Sequence, residues 1–173
     1  MSTAQEQTER QENGQPREPQ GPDGEVVIRG EGGRVVQRSN FRGGVLEGET
    51  TMFDEEGAVA QRASFRGGVL DGPMVVYAAG RVVAVSSYKA GKLDGDSIWY
   101  DRAGRTVKRS QYRAGRPEGF SVEYYPTGKV HTRAQFKGGK LEGEFVEFAE
   151  GGKVVQRIFY KEGKPQPAPP PRR

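Results

Sequence analysis

The chain contains no cysteine, and this absence excludes several kinds of protein at once. Without thiols there is no disulfide framework, no thiolate metal site and no thiol redox chemistry. Histidine is nearly absent too, because His131 is the only one in 173 residues. No nucleophile with a placed base, and no distinct pair of carboxylates, stands out. The sequence therefore predicts a protein that is not an enzyme and that needs neither a metal nor a cofactor.

Long apolar runs are also missing. No run of 18 apolar residues occurs, and residues 1–10 lack the apolar core of a secretory signal, so a cytoplasmic protein is expected. No stretch shows the apolar stripe of an amphipathic helix. With 33% hydrophobic residues and 26 glycines, the composition favours a thin repeated sheet over a thick globular core.

What the sequence does contain is a repeat. A leading aromatic residue recurs in steps of 24, 23, 24, 24 and 24 residues, which is typical of repeat architectures. An acid and then a glycine follow six and seven residues after each of the first five, and a second aromatic follows that glycine by five residues. The leading aromatics are Phe41, Phe65, Tyr88, Tyr112, Phe136 and Tyr160, the glycines are Gly48, Gly72, Gly95, Gly119 and Gly143, and the second aromatics are Phe53, Tyr77, Tyr100, Tyr124 and Phe148.

The spacing of these residues predicts hairpins. Between the glycines, apolar and polar residues alternate with period two, which indicates half-buried strands, and glycine supplies the positive φ of a tight hairpin turn. The expected fold is all-β, an elongated single-layer antiparallel sheet of tandem β-hairpins with twelve strands. After a degenerate first hairpin, the strands are expected at 45–54, 58–66, 69–78, 81–89, 92–101, 105–113, 117–125, 129–137, 140–149 and 153–161.

Composition predicts three segments. Residues 1–23 are expected to form a disordered N-terminal tail, because they are rich in Gln, Glu, Pro and Gly and offer little apolar surface to bury. Residues 24–163 form the repeat domain. Residues 164–173 form a Pro-rich C-terminal tail with a preference for extended polyproline structure.

Strand alternation also predicts two faces. Counting along the chain places the leading and second aromatics on one packed face, where their rings are expected to stack. It places an arginine, three residues before five of the six leading aromatics, on the opposite face with Glu123 and Glu147. These arginines, with the single tryptophan, are the candidate partner-binding residues: Arg38, Arg62, Arg109, Arg133, Arg157 and Trp99.

The arginines have two interpretations. Guanidinium groups present rigid donor forks to carboxylate or phosphate, so a file of them suits an acidic partner. The simpler interpretation is that each one lies over an apolar neighbour and pairs with a nearby carboxylate such as Glu123 or Glu147. The acid–glycine pairs, including Asp94-Gly95-Asp96, match no calcium loop and are expected to serve turn geometry.

The repeat, clearest in residues 88–104 and 136–143, resembles the MORN-repeat variants of bacterial YwqK-type antitoxin proteins over about residues 24–163. The resemblance implies an open sheet of successive hairpins and an antitoxin or immunity role in which the sheet binds and neutralises a cognate toxin. It offers no catalytic residues.

A protein is the expected partner, and two alternatives stay open. Eukaryotic MORN proteins are associated with membranes or phosphoinositides, so the resemblance also allows an anionic lipid surface. A structural role, with chains joined through unpaired edge strands, is the other alternative. Nucleic acid is not expected, because the repeat region mixes 22 basic with 18 acidic residues.

Overall fold

The computed structural model describes residues 21–167, which form one sheet of thirteen strands. Every strand pairs with the next in sequence order, and all the pairs are antiparallel, so the predicted sheet of tandem hairpins is confirmed. At about 4.8 Å between strands, the sheet is about 58 Å long. The strands are β1 (Gly24–Arg29), β2 (Val35–Arg42), β3 (Val45–Phe53), β4 (Val59–Arg66), β5 (Val69–Ala78), β6 (Arg81–Lys89), β7 (Lys92–Tyr100), β8 (Thr106–Arg113), β9 (Arg116–Tyr124), β10 (Val130–Lys137), β11 (Lys140–Phe148), β12 (Val154–Lys161) and β13 (Lys164–Gln166).

The strand count differs from the prediction by one. The ten strands predicted from residue 45 onward begin and end within one residue of β3 to β12. The addition is β13, which pairs with the end of β12 and carries the sheet three residues into the segment predicted as a tail. The disorder predicted for residues 1–20 and the conformation predicted for residues 168–173 lie outside the described part of the chain. One turn of 3-10 helix, Glu31–Gly33, connects β1 to β2.

Two-residue turns form one end of the sheet. Both residues of each turn have positive φ, as a type I′ hairpin turn requires, and the twist of such a turn matches that of the strands. The second residue is always glycine, whereas the first is alanine or glutamate in three turns, with φ between 48° and 50°. The turns are Gly43–Gly44, Gly67–Gly68, Ala90–Gly91, Ala114–Gly115, Gly138–Gly139 and Glu162–Gly163.

Longer turns form the other end. In the turn between β3 and β4, the Asp54 N–H donates to the Ala58 carbonyl (2.9 Å), and the Gly57 N–H donates to the Asp54 carbonyl (3.1 Å). The same pair of hydrogen bonds closes the turns at residues 101–105, 125–129 and 149–153. The β5–β6 turn is the exception, because only Ala79 and Gly80 separate its strands. This shorter turn accounts for the single 23-residue step.

Each acid of the acid–glycine pairs holds the next hairpin, a contact we call the acid clasp. The Asp94 carboxylate accepts a hydrogen bond from the Ala114 N–H, at the first position of the next two-residue turn (2.9 Å). The prediction that these acids serve turn geometry is thereby confirmed. The other acid clasps are Asp23 to Gly43, Glu47 to Gly67, Asp71 to Ala90, Glu118 to Gly138 and Glu142 to Glu162.

The repeat therefore begins before residue 24. Asp23 makes an acid clasp like the others (2.8 Å), and the Pro22 carbonyl accepts from the Gly44 N–H (3.0 Å), as the Leu46 carbonyl does from Gly68 one unit later. Residues 21–23 were predicted to belong to the disordered tail. The structure instead makes Pro22 and Asp23 the start of the first repeat unit.

The glycine of each acid–glycine pair lies opposite a leading aromatic. Gly95 is the cross-strand partner of Tyr112, and it has a φ of 109°, which residues with side chains rarely adopt. A Cβ at this position would lie 3.1 Å from the Ser87 Cβ. The ring thus lies across from a residue that has no side chain, which explains why aromatic and glycine recur in a fixed phase. The corresponding pairs are Gly24–Phe41, Gly48–Phe65, Gly72–Tyr88, Gly119–Phe136 and Gly143–Tyr160.

The predicted assignment of the aromatics to one face is wrong. A two-residue turn pairs Lys89 with Lys92 and Tyr88 with Leu93, so residues that share a face have numbers of opposite parity on β6 and β7. A residue twelve positions after a leading aromatic consequently points to the other side. The rings do not stack either, and within residues 21–167 the one ring–ring contact joins Tyr125 to His131, at 4.4 Å between centroids.

The face with the leading aromatics, which we call the serine face, holds a buried row of small side chains. Ser97 is 1% exposed, and its hydroxyl donates to that of Ser86, which is 8% exposed (3.0 Å). Ser110 pairs in the same way with Ser121 (2.7 Å), and Thr50 donates to Ser39 (3.1 Å). The buried members of the row are Ser39, Thr50, Ala63, Ser86, Ser97, Ser110 and Ala134.

Candidate functional site

The opposite face, which we call the arginine face, carries a continuous central row with one residue from each of twelve strands. Each residue is the direct cross-strand partner of the next, so the five predicted arginines lie at the same depth on one surface. They alternate with smaller, mostly apolar side chains. In strand order from β1 to β12 the row is Val27, Arg38, Thr51, Arg62, Val75, Val85, Ile98, Arg109, Val122, Arg133, Val146 and Arg157.

A second row on this face supplies carboxylates. Arg109 Nη2 donates to Asp96 Oδ2 (2.7 Å), and this hydrogen bond raises the pKa of the Arg109 guanidinium above its ordinary value. The other carboxylate oxygen of Asp96 is buried and has no hydrogen-bond partner within the described residues. Because a buried carboxylate needs compensation, Arg109 is tied to Asp96 more firmly than its exposure suggests.

The remaining arginines pair more loosely or not at all. Arg38 lies 3.7 Å from Glu25, and Glu144 lies between Arg133 (3.9 Å) and Arg157 (3.7 Å). Their side chains are 47% to 52% exposed, so these ion pairs are screened and contribute little.

Arg62 has no carboxylate within ion-pair distance among residues 21–167. Among the five arginines of the row, Arg62 is therefore the one that makes no ion pair with the described residues.

The predicted pairing of arginines with Glu123 and Glu147 is wrong. Glu123 accepts a hydrogen bond from Lys108 (3.0 Å), and Glu147 lies 3.6 Å from His131, both on the serine face. The parity error that displaced the second aromatics also displaced these acids. The row that includes Glu25, Asp96 and Glu144 supplies the carboxylates instead.

The second aromatics complete the arginine face. Tyr100 and Tyr124 follow Ile98 and Val122 by two residues and so point the same way. Between Arg109 and Arg133 lies a shallow hollow of about 380 Å³, also lined by Phe120, Val122 and Tyr124. Arg133 lies over the Phe120 ring, at 5.9 Å from its centroid. The face thus combines guanidinium groups with exposed apolar surface, a composition typical of protein-binding surfaces.

Trp99 is separated from the other candidate residues. It pairs with Ala84 and Lys108 on the serine face, and the Lys108 ammonium lies 6.0 Å from the centroid of its ring. The structure therefore brings the five arginines together and leaves the tryptophan on the reverse side of the sheet.

The described residues offer no grouping suited to catalysis through a metal, since no three His, Asp or Glu side chains converge within residues 21–167. In Asp94-Gly95-Asp96 the two carboxylates diverge, because Asp94 makes an acid clasp and Asp96 binds Arg109. His131 lies against Tyr125 and Glu147.

Comparison with known protein families gives a match over one repeat unit. A family model described as a MORN repeat variant matches residues 141–162, which include all of β11 but its first residue, the following turn and β12. The neighbouring hairpins share the register, turns and acid clasps of this unit, which agrees with a MORN-type repeat scaffold. No curated protein matches the chain. Within residues 21–167, no helix has the length and apolar character needed to cross a membrane.

Proposed function

We propose that the protein is a non-catalytic binding scaffold whose arginine face docks onto an acidic surface of a protein partner. The observation that carries the proposal is the arginine row, in which five guanidinium groups lie on one surface and at the same position along their strands. Arg38, Arg133 and Arg157 are about half exposed and make only loose ion pairs. Such groups can exchange an internal carboxylate for a partner's carboxylate at small cost.

The charge balance of the two central rows favours a protein partner over an anionic membrane. The turn end of the same face adds basic pairs, among them Lys89–Lys92, Arg113–Arg116 and Lys137–Lys140. The five arginines of the central row are opposed by four carboxylates in the adjacent row, so these two rows carry one net positive charge. The four carboxylates are Glu25, Glu49, Asp96 and Glu144. A surface that carries charges of both signs fixes the alignment of a protein partner that also carries fixed charges. An anionic lipid surface, in contrast, binds more strongly to a surface with an excess of positive charge.

The narrower form of the proposal is an antitoxin or immunity protein that neutralises a toxin by covering it. The resemblance to YwqK-type antitoxins supports this form, and so does a rigid extended face of a size suited to a protein surface. In this form the arginine face is the neutralising surface, and blocking it restores the activity of the toxin.

Charge reversal at Arg62 tests the docking surface. Because Arg62 has no ion pair among the described residues, Arg62→Glu is expected to leave the unfolding midpoint nearly unchanged while weakening capture of the partner about tenfold or more. Arg66→Glu is the comparison variant on the same strand, since Arg66 lies at the turn end of the same face, is 77% exposed and lies 3.7 Å from Asp71. It tests whether the effect is confined to the central row. The partner is identified by mass spectrometry after capture from the source organism.

Capture by Arg62→Glu that equals capture by the unaltered chain would rule out the central arginine row as the docking surface. Flotation with phosphatidylcholine vesicles, with and without phosphatidylserine, addresses the lipid alternative. Binding to the anionic vesicles that Arg62→Glu abolishes would reassign the face to membranes.

Co-expression tests the antitoxin form. The product of a neighbouring gene is expressed alone, with the native chain, and with the Arg62→Glu variant. We expect growth arrest, rescue and loss of rescue, in that order. Rescue that persists with Arg62→Glu would separate neutralisation from the arginine face.

A further inference from the structure

The arginine face has a hollow where its arginine row is interrupted. Val85 occupies the position that arginine holds in the other five units. Here an open hollow of about 700 Å³ lies between the short Ala79–Gly80 turn and the turn at residues 101–105. Val82, Val85 and Tyr100 give it an apolar lining, and Arg81, Arg102, Ala103 and Gly104 complete it.

The rim of the hollow is ordered. Arg81 Nη1 donates to the Arg102 carbonyl (2.7 Å), which ties the start of β6 to the turn at residues 101–105. Arg105 also donates from Nε to the Asp101 carboxylate in that turn (2.8 Å). The apolar surface is therefore bordered by the Arg81 guanidinium, which its hydrogen bond to the Arg102 carbonyl holds in place.

The next repeat unit provides an internal comparison. An equivalent hollow there is lined by Thr106, Arg109 and Tyr124, at the positions of Val82, Val85 and Tyr100, and it measures about 460 Å³. Arg105 and Arg109 both line it, and Arg109, at the position of Val85, is bound to Asp96. Replacing arginine by valine, together with the shorter turn, has thus produced a larger and more apolar hollow in the middle of the sheet.

Arginines lie at equal distances on either side of this hollow. Arg62 on β4 and Arg109 on β8 are each two strands away from Val85 on β6, or about 9.6 Å. An extended peptide advances about 3.3 Å per residue, so three residues cover this distance. A peptide that crosses the strands can place an apolar side chain over Val85 and a carboxylate near each arginine.

We propose that this hollow is the anchor site of the arginine face, and that it takes one bulky apolar side chain flanked at three residues on each side by acidic residues of a protein partner. The inference rests on the proposed function and deepens it, since it states the sequence pattern that the face recognises. A buried apolar anchor near the centre of a polar interface is the arrangement that concentrates binding energy.

The probe is a seven-residue peptide, blocked at both ends, with phenylalanine in the middle and glutamate at each end. Two control peptides replace phenylalanine by alanine, or both glutamates by glutamine. NMR titration of the ¹⁵N-labelled full chain measures affinity and location together. We expect the phenylalanine peptide to shift the amide signals of Val82, Val85 and Tyr100, and to bind about tenfold to a hundredfold more tightly than the alanine peptide.

Val85→Arg is the decisive variant. It installs the residue found in the other five units and adds positive charge, so electrostatics alone would strengthen binding of an acidic peptide. We expect the opposite, a loss of about tenfold or more for the phenylalanine peptide, because the side chain fills the hollow. Val155→Arg is the matched control, since Val155 is 62% exposed on β12 and far along the sheet, and it is expected to leave the affinity unchanged.

The outcomes separate the two proposals. Equal or tighter binding by Val85→Arg, equal affinities for the phenylalanine and alanine peptides, or no binding of the probe would each overturn the anchor site. If the two peptides bind equally and Arg62→Glu weakens both, the arginine face remains and only the hollow fails. If phenylalanine binds the hollow and Arg62→Glu has no effect, the hollow remains and the role of the arginines fails.

Discussion

The hydrogen bond between the Ser86 and Ser97 hydroxyls lets the contribution of one cross-strand contact to stability be measured directly. Both serines are buried, and the hydroxyl of Ser97 donates to that of Ser86 across the β6–β7 hairpin (3.0 Å). Ser97→Ala leaves the Ser86 hydroxyl buried without this partner. Burying an unsatisfied polar group costs about 1–3 kcal/mol, and we expect about 1–2 kcal/mol here.

The double variant is expected to behave differently. When both residues are alanine, no polar group remains to be satisfied, so the loss should fall below about 1 kcal/mol. The fold accepts alanine in this row, since Ala63 and Ala134 occupy equivalent buried positions. The coupling between Ser86→Ala and Ser97→Ala is therefore about 1–2 kcal/mol, with the double variant more stable than the sum of the single effects.

Urea unfolding followed by circular dichroism measures this cycle. All four proteins should unfold with the same slope against urea, so the midpoints report stability directly. Strictly additive losses would refute the reasoning, because they would show that the two hydroxyls do not satisfy each other. A neutral Ser97→Ala would show that water reaches the row despite its burial.

Three further predictions concern the turns and strand starts. Gly95→Ala places a side chain at a φ of 109° and 3.1 Å from the Ser87 Cβ, so we expect a loss of about 2 kcal/mol or more in urea unfolding. Alanine at Gly151, a turn residue whose φ is not positive and where a Cβ would meet no atom within 4 Å, should cost little. Ala90→Asn suits the positive φ of a type I′ turn and is expected to add about 0.5–1 kcal/mol, and a lower midpoint would contradict the assigned turn. Hydrogen bonds to Asp101, first from the Arg105 backbone N–H and then from its side chain, hold the pKa of that carboxyl below its ordinary value. The depressed pKa stabilises the fold above about pH 4, and the contribution is lost as the pH falls through the folded-state pKa. Asp101→Asn should therefore flatten the acid side of the stability profile between pH 2 and 5, and an unchanged profile would contradict the shift.

The fold was predictable because its signals are local. Glycines and aromatics mark the hairpins, and the strand limits follow to within one residue because a two-residue turn such as Gly138–Gly139 leaves little freedom. The start of the repeat was missed for an equally local reason. Pro22 replaces the usual leucine, and the pair Asp23–Gly24 lies in a polar stretch that resembles a tail.

The composition of the faces was not predictable by counting along the chain. A two-residue turn such as Ala90–Gly91 reverses the parity of residues that share a face, so Tyr100 was placed with Tyr88 although they point to opposite sides. The partners across the Ala90–Gly91 turn have numbers with an odd sum, and applying that to this hairpin would have corrected the placement. Most β7–β8 pairs also have an odd sum, which places Asp96 on the face of Arg109. The hollow at Val85 depends on how a short turn leaves space beside a longer one, which requires coordinates.

The acid clasps have a consequence for how the protein can change in size. Each one reaches only as far as the following hairpin, about 20 residues ahead, so no unit depends on distant parts of the chain. A deletion of 24 residues, from one point of a repeat unit to the equivalent point of the next unit, would leave every remaining acid clasp intact. Gene duplication or loss can therefore lengthen or shorten the sheet in whole repeat units without changing its architecture.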